Sequence, residues 1–481
     1  MHTEYSRARR EKDKNFDGTF FFGVRTTGIF CRPSCPSPIA KEENVEYFGT
    51  MFEALDRGFR PCLRCRPDVE VDYYNGNVDG ASVVNAALQL IYDGYLNDRS
   101  LADLAGEVAV SERHLRKLFV DNLGVPPIKI ARYHKALFAK KLLVSSGNSM
   151  ADIAFASGFG SIRQFNDAIK DIFGYTPTQL RKQADVSDSG DNTTLLLRYQ
   201  PPFHFNRILD FMRLRAIKGV ELVTDKSYSR TFRTHNTKGY FTVGDNPAAS
   251  ALELSIVCDD IKCFMEVHNR VRRMFDLDTN FSTINKRFAK DKLLSKGLED
   301  GHVPRLPAAF NPFEFLIRAI LGQQVTVKAA TTMAGRIAER AVLPTDDTFP
   351  KGLDWFFPNA EELDFMDLEG LGMTKTRLQT VRTATRAVLD KTISLSTNQR
   401  FEDFHERLTA LKGIGDWTAN YVGMRGLGMI DSFPASDLGV IKAMTQNDVK
   451  PTLKEIEKRS QMWRPYRAYA ALCLWNSLED K

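Results

Sequence analysis

The stretch LTALKGIGDWTANYVGMRGLG, residues 408–428, sets Gly413 and Gly415 in a turn between two helical runs, the second opened by Asp416. Glycines let backbone amides approach a phosphate closely, and the amino terminus of the following helix favours an anion. Twenty-two residues past Gly415, FPASDLGV (433–440) carries Asp437 at a proline-containing entry to another helix. An aspartate there is either a plain helix cap or a carboxylate held for chemistry.

The rest of the chain sets the context. At 481 residues and a formal net charge of +6, it is long enough for about three domains. It is only mildly basic, so net charge identifies no partner. No apolar run approaches the ~20 residues that span a bilayer, and the start, MHTEYSRARREKDKNF, is charged where a signal peptide is apolar. These features predict a cytoplasmic protein with no membrane partner, in a compartment that disfavours disulfides. Local charge says more: eight Lys or Arg and one acid, Asp121, lie between Arg113 and Lys141. Such a stripe is the footprint of a DNA-binding module, or else a solvated helix face.

VDYYNGNVDG (71–80) and QADVSDSGDNTT (183–194) lack apolar periodicity and read as linkers. They separate blocks at 1–72, 80–183 and 194–481. In the last, TFRTHNTKGYFTV and ALELSIVC alternate as strands do, whereas FEFLIRAILGQQVTVKAATTMAGRIAERA (313–341) has helical periodicity. A strand-rich part at 194–300 is therefore expected before a helical part at 301–481. The predicted class is multidomain, mainly α with α+β parts.

Cys31, Cys35, Cys62 and Cys65 form C-x3-C, a 26-residue gap and C-x2-C. Two short loops of this kind aim four sulfurs at the corners of a tetrahedron, predicting one zinc per chain. Cys258, Cys263 and Cys473 fall in apolar contexts and read as core. Around the first pair, FFFGVRTTGIFCRPSC (20–35) followed by GFRPCLRC (58–65) resembles the zinc domain of the Ada-type adaptive-response proteins. The resemblance implies repair of methyl phosphotriesters in DNA, with Cys31 as methyl acceptor and Thr27 and Arg60 near the DNA backbone. A zinc thiolate is nucleophilic at neutral pH, and a methylated phosphotriester is neutral where a phosphodiester would be repelled. Transfer removes one negative charge from the cluster, which raises affinity for phosphates. PSPIA (36–40) departs from the more basic family pattern.

The middle block is duplicated: SLADLAGEVAVSERHLRKLF (100–119) aligns with SMADIAFASGFGSIRQFNDAIK (149–170) at an offset of 49. Each copy has a small residue at a helix crossing, Ala105 or Ala154, then a turn and a capping serine, Ser111 or Ser161. With its ending GYTPTQLRK (174–182), the block resembles the AraC-type double helix-turn-helix domain. Recognition helices at 111–120 and 161–173 are then implied, with Arg113, Arg116, Lys117, Arg163, Gln164 and Asn166 contacting promoter DNA and RNA polymerase as a further partner.

The glycine hairpin and its distant aspartate resemble the helix-hairpin-helix DNA glycosylases. QPPF (200–203), DFMRLRA (210–216), FEFLIRAILGQQV (313–325) and WRPYRAYAALCLW (463–475) extend the similarity to the 3-methyladenine DNA glycosylase II (AlkA-type) branch, over nearly all of 194–481. The resemblance implies a TATA-binding-protein-like β subdomain, a helical catalytic domain and alkylated double-stranded DNA as substrate. It makes Asp437 the catalytic carboxylate and Trp417, Tyr421, Trp475 and Phe211 the base pocket. Gly413 and Gly415 then hold the DNA backbone, and Gln324 stands where the branch carries a leucine wedge.

An alkylated purine is cationic and leaves readily, so a carboxylate beside the sugar cation and an aromatic pocket for the flipped base suffice. Trp417 occupies the place of the Schiff-base lysine in lyase-active relatives, implying simple hydrolysis to an abasic site. No PCHR-type motif occurs, so no O6-alkylguanine acceptor is expected. The competing expectation is a damage-sensing activator whose glycosylase half only binds DNA; Asp437, Trp417 and Trp475 oppose it. A monomer is expected.

Overall fold

The computed structural model describes residues 2–62, 64–65, 67, 82–183, 193–234, 237–397, 399–445 and 448–478. The first expected linker, 71–80, lies outside them, as do 184–192 of the second. The chain forms two compact units: 1–198 with 254–269, and 199–253 with 270–481.

The first unit begins with a small sheet in the order Val45–Phe48, Phe21–Val24, Ile29–Cys31, Arg60–Pro61. Phe20, Phe21, Phe22 and Phe30 are buried and form its thin core. The strand Phe21–Val24 pairs antiparallel with Ile29–Cys31, which ends on the first thiol. Arg60–Pro61 then pairs parallel to Ile29–Phe30, and Cys62 N donates to Phe30 O at 3.0 Å. Strand pairing thus brings the second thiol pair to the first.

The helices Leu101–Glu107 and Met150–Ala156 open on Ser100 and Ser149, and the helices Glu112–Leu123 and Ile162–Phe173 on Ser111 and Ser161, each cap accepting a backbone N–H. Ala105 and Ala154 are buried at the crossings. The expected repeat is therefore two structurally equivalent helix pairs, joined by the long, largely buried helix Pro127–Ser145. This helix also meets the cysteine domain. Tyr133 stacks on Phe52 at 6.3 Å, and Asp56 accepts from Lys129 Nζ at 2.5 Å and Tyr133 Oη at 3.1 Å.

In the second unit, Glu221–Val223, Ser227–Thr234 and Thr237–Asn246 form an antiparallel meander. Two apolar cores organise the helices that follow. Leu316, Ile317 and Ile320 of Pro312–Leu321 pack with Ile337, Val381, Phe404 and Ala419. Met424, Val440, Trp463, Tyr469 and Cys473 form the other core. Asp416–Tyr421 belongs to the first, and Leu438–Met444 and Arg467–Asn476 to the second. No helix among the described residues is long and apolar enough to cross a membrane.

Candidate active site, metal centre and DNA-facing residues

Asp437 is the amino-terminal cap of the helix Leu438–Met444, as the simpler sequence reading has it. Its Oδ1 accepts from the amides of Gly439 at 2.8 Å and Val440 at 3.2 Å. Two indoles complete its surroundings: Trp475 Nε1 donates to Oδ1 and Trp417 Nε1 to Oδ2, each at 2.8 Å. Three donors fill the capacity of Oδ1, whereas a single donor leaves Oδ2 able to face another positive centre. Gly439 makes the approach possible, since a Cβ there would lie 2.7 Å from Trp475 Cδ1 and 3.0 Å from Asp437 Oδ1.

Trp417 and Tyr421, one turn apart on Asp416–Tyr421, stack with centroids 4.9 Å apart and planes 15° apart, and Phe315 lies 5.4 Å beyond Tyr421. Trp417, Tyr421, Trp475 and Asp437 thus converge. Phe211 differs: its ring is already engaged by guanidiniums, Arg215 at 3.9 Å and Arg425 at 4.1 Å from the centroid. Its connection to the other aromatics runs through Arg425, which also lies 5.7 Å from the Trp475 ring.

Arg425 is a residue that sequence reasoning missed. It sits in a π-helical turn, Val422–Gly426, continuing the helix of Trp417, and such turns often mark functional positions. Burial pushes its pKa down to about 10. Its Nη1 donates to Pro307 O at 3.2 Å, and its Nε has no hydrogen-bond partner among the described residues. Nothing in VGMRGLG distinguishes a buried arginine from a surface one.

In the hairpin, Gly413 has φ +92°, and a Cβ there would fall 2.1 Å from Thr380 Oγ1, so backbone conformation and space both require glycine. Gly415 caps the next helix and has nothing within 4 Å of a built Cβ, leaving the approach to its backbone open. Gln324 is exposed, in the left-handed region at φ +54°, at the turn after Pro312–Leu321. Its neighbour Gln323, also missed, ties that turn to the hairpin. Gln323 Nε2 donates to Gly413 O and Thr418 Oγ1, both at 3.0 Å, while Arg377 donates to its carbonyl.

The sulfurs of Cys31, Cys35, Cys62 and Cys65 lie within 4.8 Å of one another and all four residues are buried. Cys35 and Cys62 sulfurs are 4.0 Å apart. A tetrahedral site with Zn–S bonds of about 2.3 Å needs sulfurs roughly 3.8 Å apart, so the cluster fits one zinc. Thr27 is exposed beside the hairpin turn. Arg60 is half-buried, its Nη1 2.8 Å from where a Cβ on Gly174 would stand, so it packs on the end of the helix Ile162–Phe173. Arg113, Lys117, Gln164 and Asn166 are exposed. Arg116 pairs with Glu112 at 2.6 Å, and Arg163 lies 4.0 Å from Asp167.

Residues 4–68 match the metal binding domain of Ada, residues 104–183 a helix-turn-helix domain and residues 194–311 the AlkA N-terminal domain. The chain is 34% identical over 487 residues to a probable bifunctional transcriptional activator/DNA repair enzyme AlkA of Mycobacterium tuberculosis, covering 100% of this chain and 97% of that one. It is 30% identical to DNA-3-methyladenine glycosylase 2 of Escherichia coli, over 58% of this chain and 95% of the relative. It is 35% identical to the bifunctional transcriptional activator/DNA repair enzyme Ada of Escherichia coli, over 35% of this chain and 46% of the relative. Three domain matches in this order, with likeness along the whole of this chain and 97% of the mycobacterial protein, establish that the chain belongs to the family of AlkA-type bifunctional transcriptional activator/DNA repair proteins.

Proposed function

We propose that this protein excises 3-methyladenine and related alkylated bases by hydrolysing the N-glycosidic bond, and that its amino-terminal half accepts methyl groups from DNA phosphotriesters and regulates transcription. The observation that carries the reading is the Asp437 carboxylate, held by two indole and two backbone N–H donors with Oδ2 only singly engaged. The flipped base enters between the aromatic rings, and Oδ2 faces the anomeric carbon. As the bond breaks, positive charge moves from the base to the sugar, and the fixed carboxylate stabilises it without reorganising. Water then adds to the sugar, giving a free base and an abasic site. Trp417, at the lyase position, offers no amine for a Schiff base.

The methyl-acceptor role belongs to Cys31. Zinc, held by Cys31, Cys35, Cys62 and Cys65, supplies the thiolate form at neutral pH. Cys31 Sγ attacks the methyl carbon, an S–C bond forms, the C–O bond breaks and the phosphodiester leaves as an anion. Thr27 and Arg60 steady the backbone, and Arg113, Arg116, Lys117, Arg163, Gln164 and Asn166 read promoter DNA, with RNA polymerase as the downstream partner. We assign the methyl-acceptor domain to 1–72, the double helix-turn-helix to 80–183, the β subdomain to 194–300 and the catalytic domain to 301–481, in a monomer acting in the bacterial cytosol at the nucleoid. Release of 3-methyladenine from methylated duplex DNA is the direct test.

A further inference from the structure

A cavity of ≈ 660 Å³ in the second unit shares Phe211 and Arg425 with the neighbourhood of the active site, yet Asp437, Trp417 and Tyr421 do not line it. Its lining is unusually rich in arginine: Arg207, Arg215, Arg305 and Arg425. The acids at its walls are already matched. Glu299 pairs with Arg207 at 3.2 Å, and Asp210 pairs with Arg213. Of its histidines, His204 lies 3.7 Å from Asp300, and His302 Nδ1 lies 3.0 Å from the backbone oxygen of Asp300.

Arg215, Arg305 and Arg425 are left without a carboxylate at ion-pair distance among the described residues. They are held by backbone carbonyls instead: Arg215 by Phe211 at 3.1 Å, Arg305 by Asp276 at 2.5 Å and Gln200 at 2.6 Å, and Arg425 by Pro307 at 3.2 Å. The side-chain oxygens of Asp276 accept from Thr279, Tyr469 and the Leu306 amide. The Nε atoms of Arg305 and Arg425 are buried with no hydrogen-bond partner among the described residues. Burial pushes both guanidiniums' pKa values down, although the Asp276 charge opposes this at Arg305.

The aromatic faces beneath them, Phe211 under Arg215 and Arg425 and Phe203 and Phe281 under Arg305, hold the three guanidiniums in place without a full counter-charge, and an anion in the cavity would supply it. A bare phosphate would leave most of the volume empty, since ≈ 660 Å³ is the size of a small-molecule site. The remaining wall includes Ile208, Phe281, Val303 and Leu472, which suits an aromatic ring. We propose that this cavity binds a phosphomonoester of mononucleotide size, its phosphate on Arg215, Arg305 and Arg425 and its base on the apolar wall. Two sources carry that group: a free nucleotide, and the terminal phosphate of an interrupted DNA strand.

The test is calorimetric titration of the zinc-loaded full chain with AMP. One site per chain is expected, roughly tenfold weaker in Arg305→Met, the loss of one charge-assisted bond. The same affinity is expected in Asp437→Asn, so the result is separate from excision. Because Arg305 also holds two carbonyls, Leu214→Glu serves as a second variant: Leu214 lines the cavity, is 69% exposed, and a carboxylate there opposes the phosphate. It should weaken AMP in the same sense with the melting temperature retained. Competition by a duplex nicked with a 5′-phosphate, but not with a 5′-hydroxyl, assigns the site to DNA ends; lack of competition assigns it to free nucleotide. Absence of saturable AMP binding, adenosine binding as tightly as AMP, or equal AMP affinity in both variants and the native chain overturns the proposal.

Discussion

Trp475 donates its indole N–H to the oxygen of Asp437 that also caps a helix, so the carboxylate is fixed by its cap while its other oxygen meets only Trp417. The two tryptophans therefore serve different oxygens of one carboxylate. Trp475→Phe keeps a ring and leaves Oδ1 its two amides; Trp417→Phe strips Oδ2 of its single donor. Each removes one hydrogen bond to a charged group, and single-turnover excision should fall by about tenfold in each. Equal binding of abasic-site DNA by both variants and the native chain would show that the loss lies in the chemical step.

Gly413→Ala introduces a Cβ against Thr380 at a backbone angle that disfavours any side chain. Duplex affinity, measured by fluorescence anisotropy, should drop, with local strain of about 1–3 kcal/mol. Adding Thr380→Ala removes the collision but not the conformational strain, so only part of the affinity should return. Full recovery would mean that the left-handed turn is unimportant.

Much of this site was legible because its residue types are uncommon where they stand. Two glycines between helices and an aspartate after a proline are conspicuous in a sequence, as are four cysteines in two close pairs. The duplicated serines and alanines of the middle block likewise predicted caps and crossings that the helices realise. What pattern could not reveal is which polar side chains turn inward. Gln323 and Arg425 look like helix-surface residues, and only packing shows one tying its own turn to the hairpin and the other buried against Phe211. Phe211 itself was foreseen as a stacking surface, but its arginine neighbours come from a local turn and from a residue more than two hundred positions away.

Metal removal should act on one part of the molecule. One zinc per chain is expected by elemental analysis, and Cys35→Ser or chelation should remove it and expose the buried phenylalanines at 20–22 to hydrogen exchange, because a domain this small depends on its metal. Excision by the carboxy-terminal half should persist. Labelled methyl should move from phosphotriester DNA to Cys31 in the native chain and fail to move in Cys31→Ser; transfer in that variant would assign the acceptor elsewhere.

A pH dependence of stability follows from His134, which is buried with its ring 4.9 Å from Tyr92. Burial, reinforced by Lys141 and Lys135, lowers its pKa to about 3. The native state therefore binds this proton less readily than the unfolded chain. The stability it contributes is complete above about pH 6.5 and is lost as pH falls towards 3. Between pH 7 and 5 the loss from this group should reach about 2 kcal/mol. Urea unfolding followed by exchange of the Pro127–Ser145 amides should show that slope, and His134→Leu should flatten it.

The most direct test is single-turnover release of 3-methyladenine from methylated duplex DNA by the native chain and by Asp437→Asn. Asparagine caps a helix about as well as aspartate, so the fold should survive, but its Nδ2 cannot accept from Trp417 and carries no charge. The account predicts excision by the native chain and a fall of roughly 10²–10³-fold or more in the variant, with duplex binding retained. Native-like excision by Asp437→Asn would contradict it.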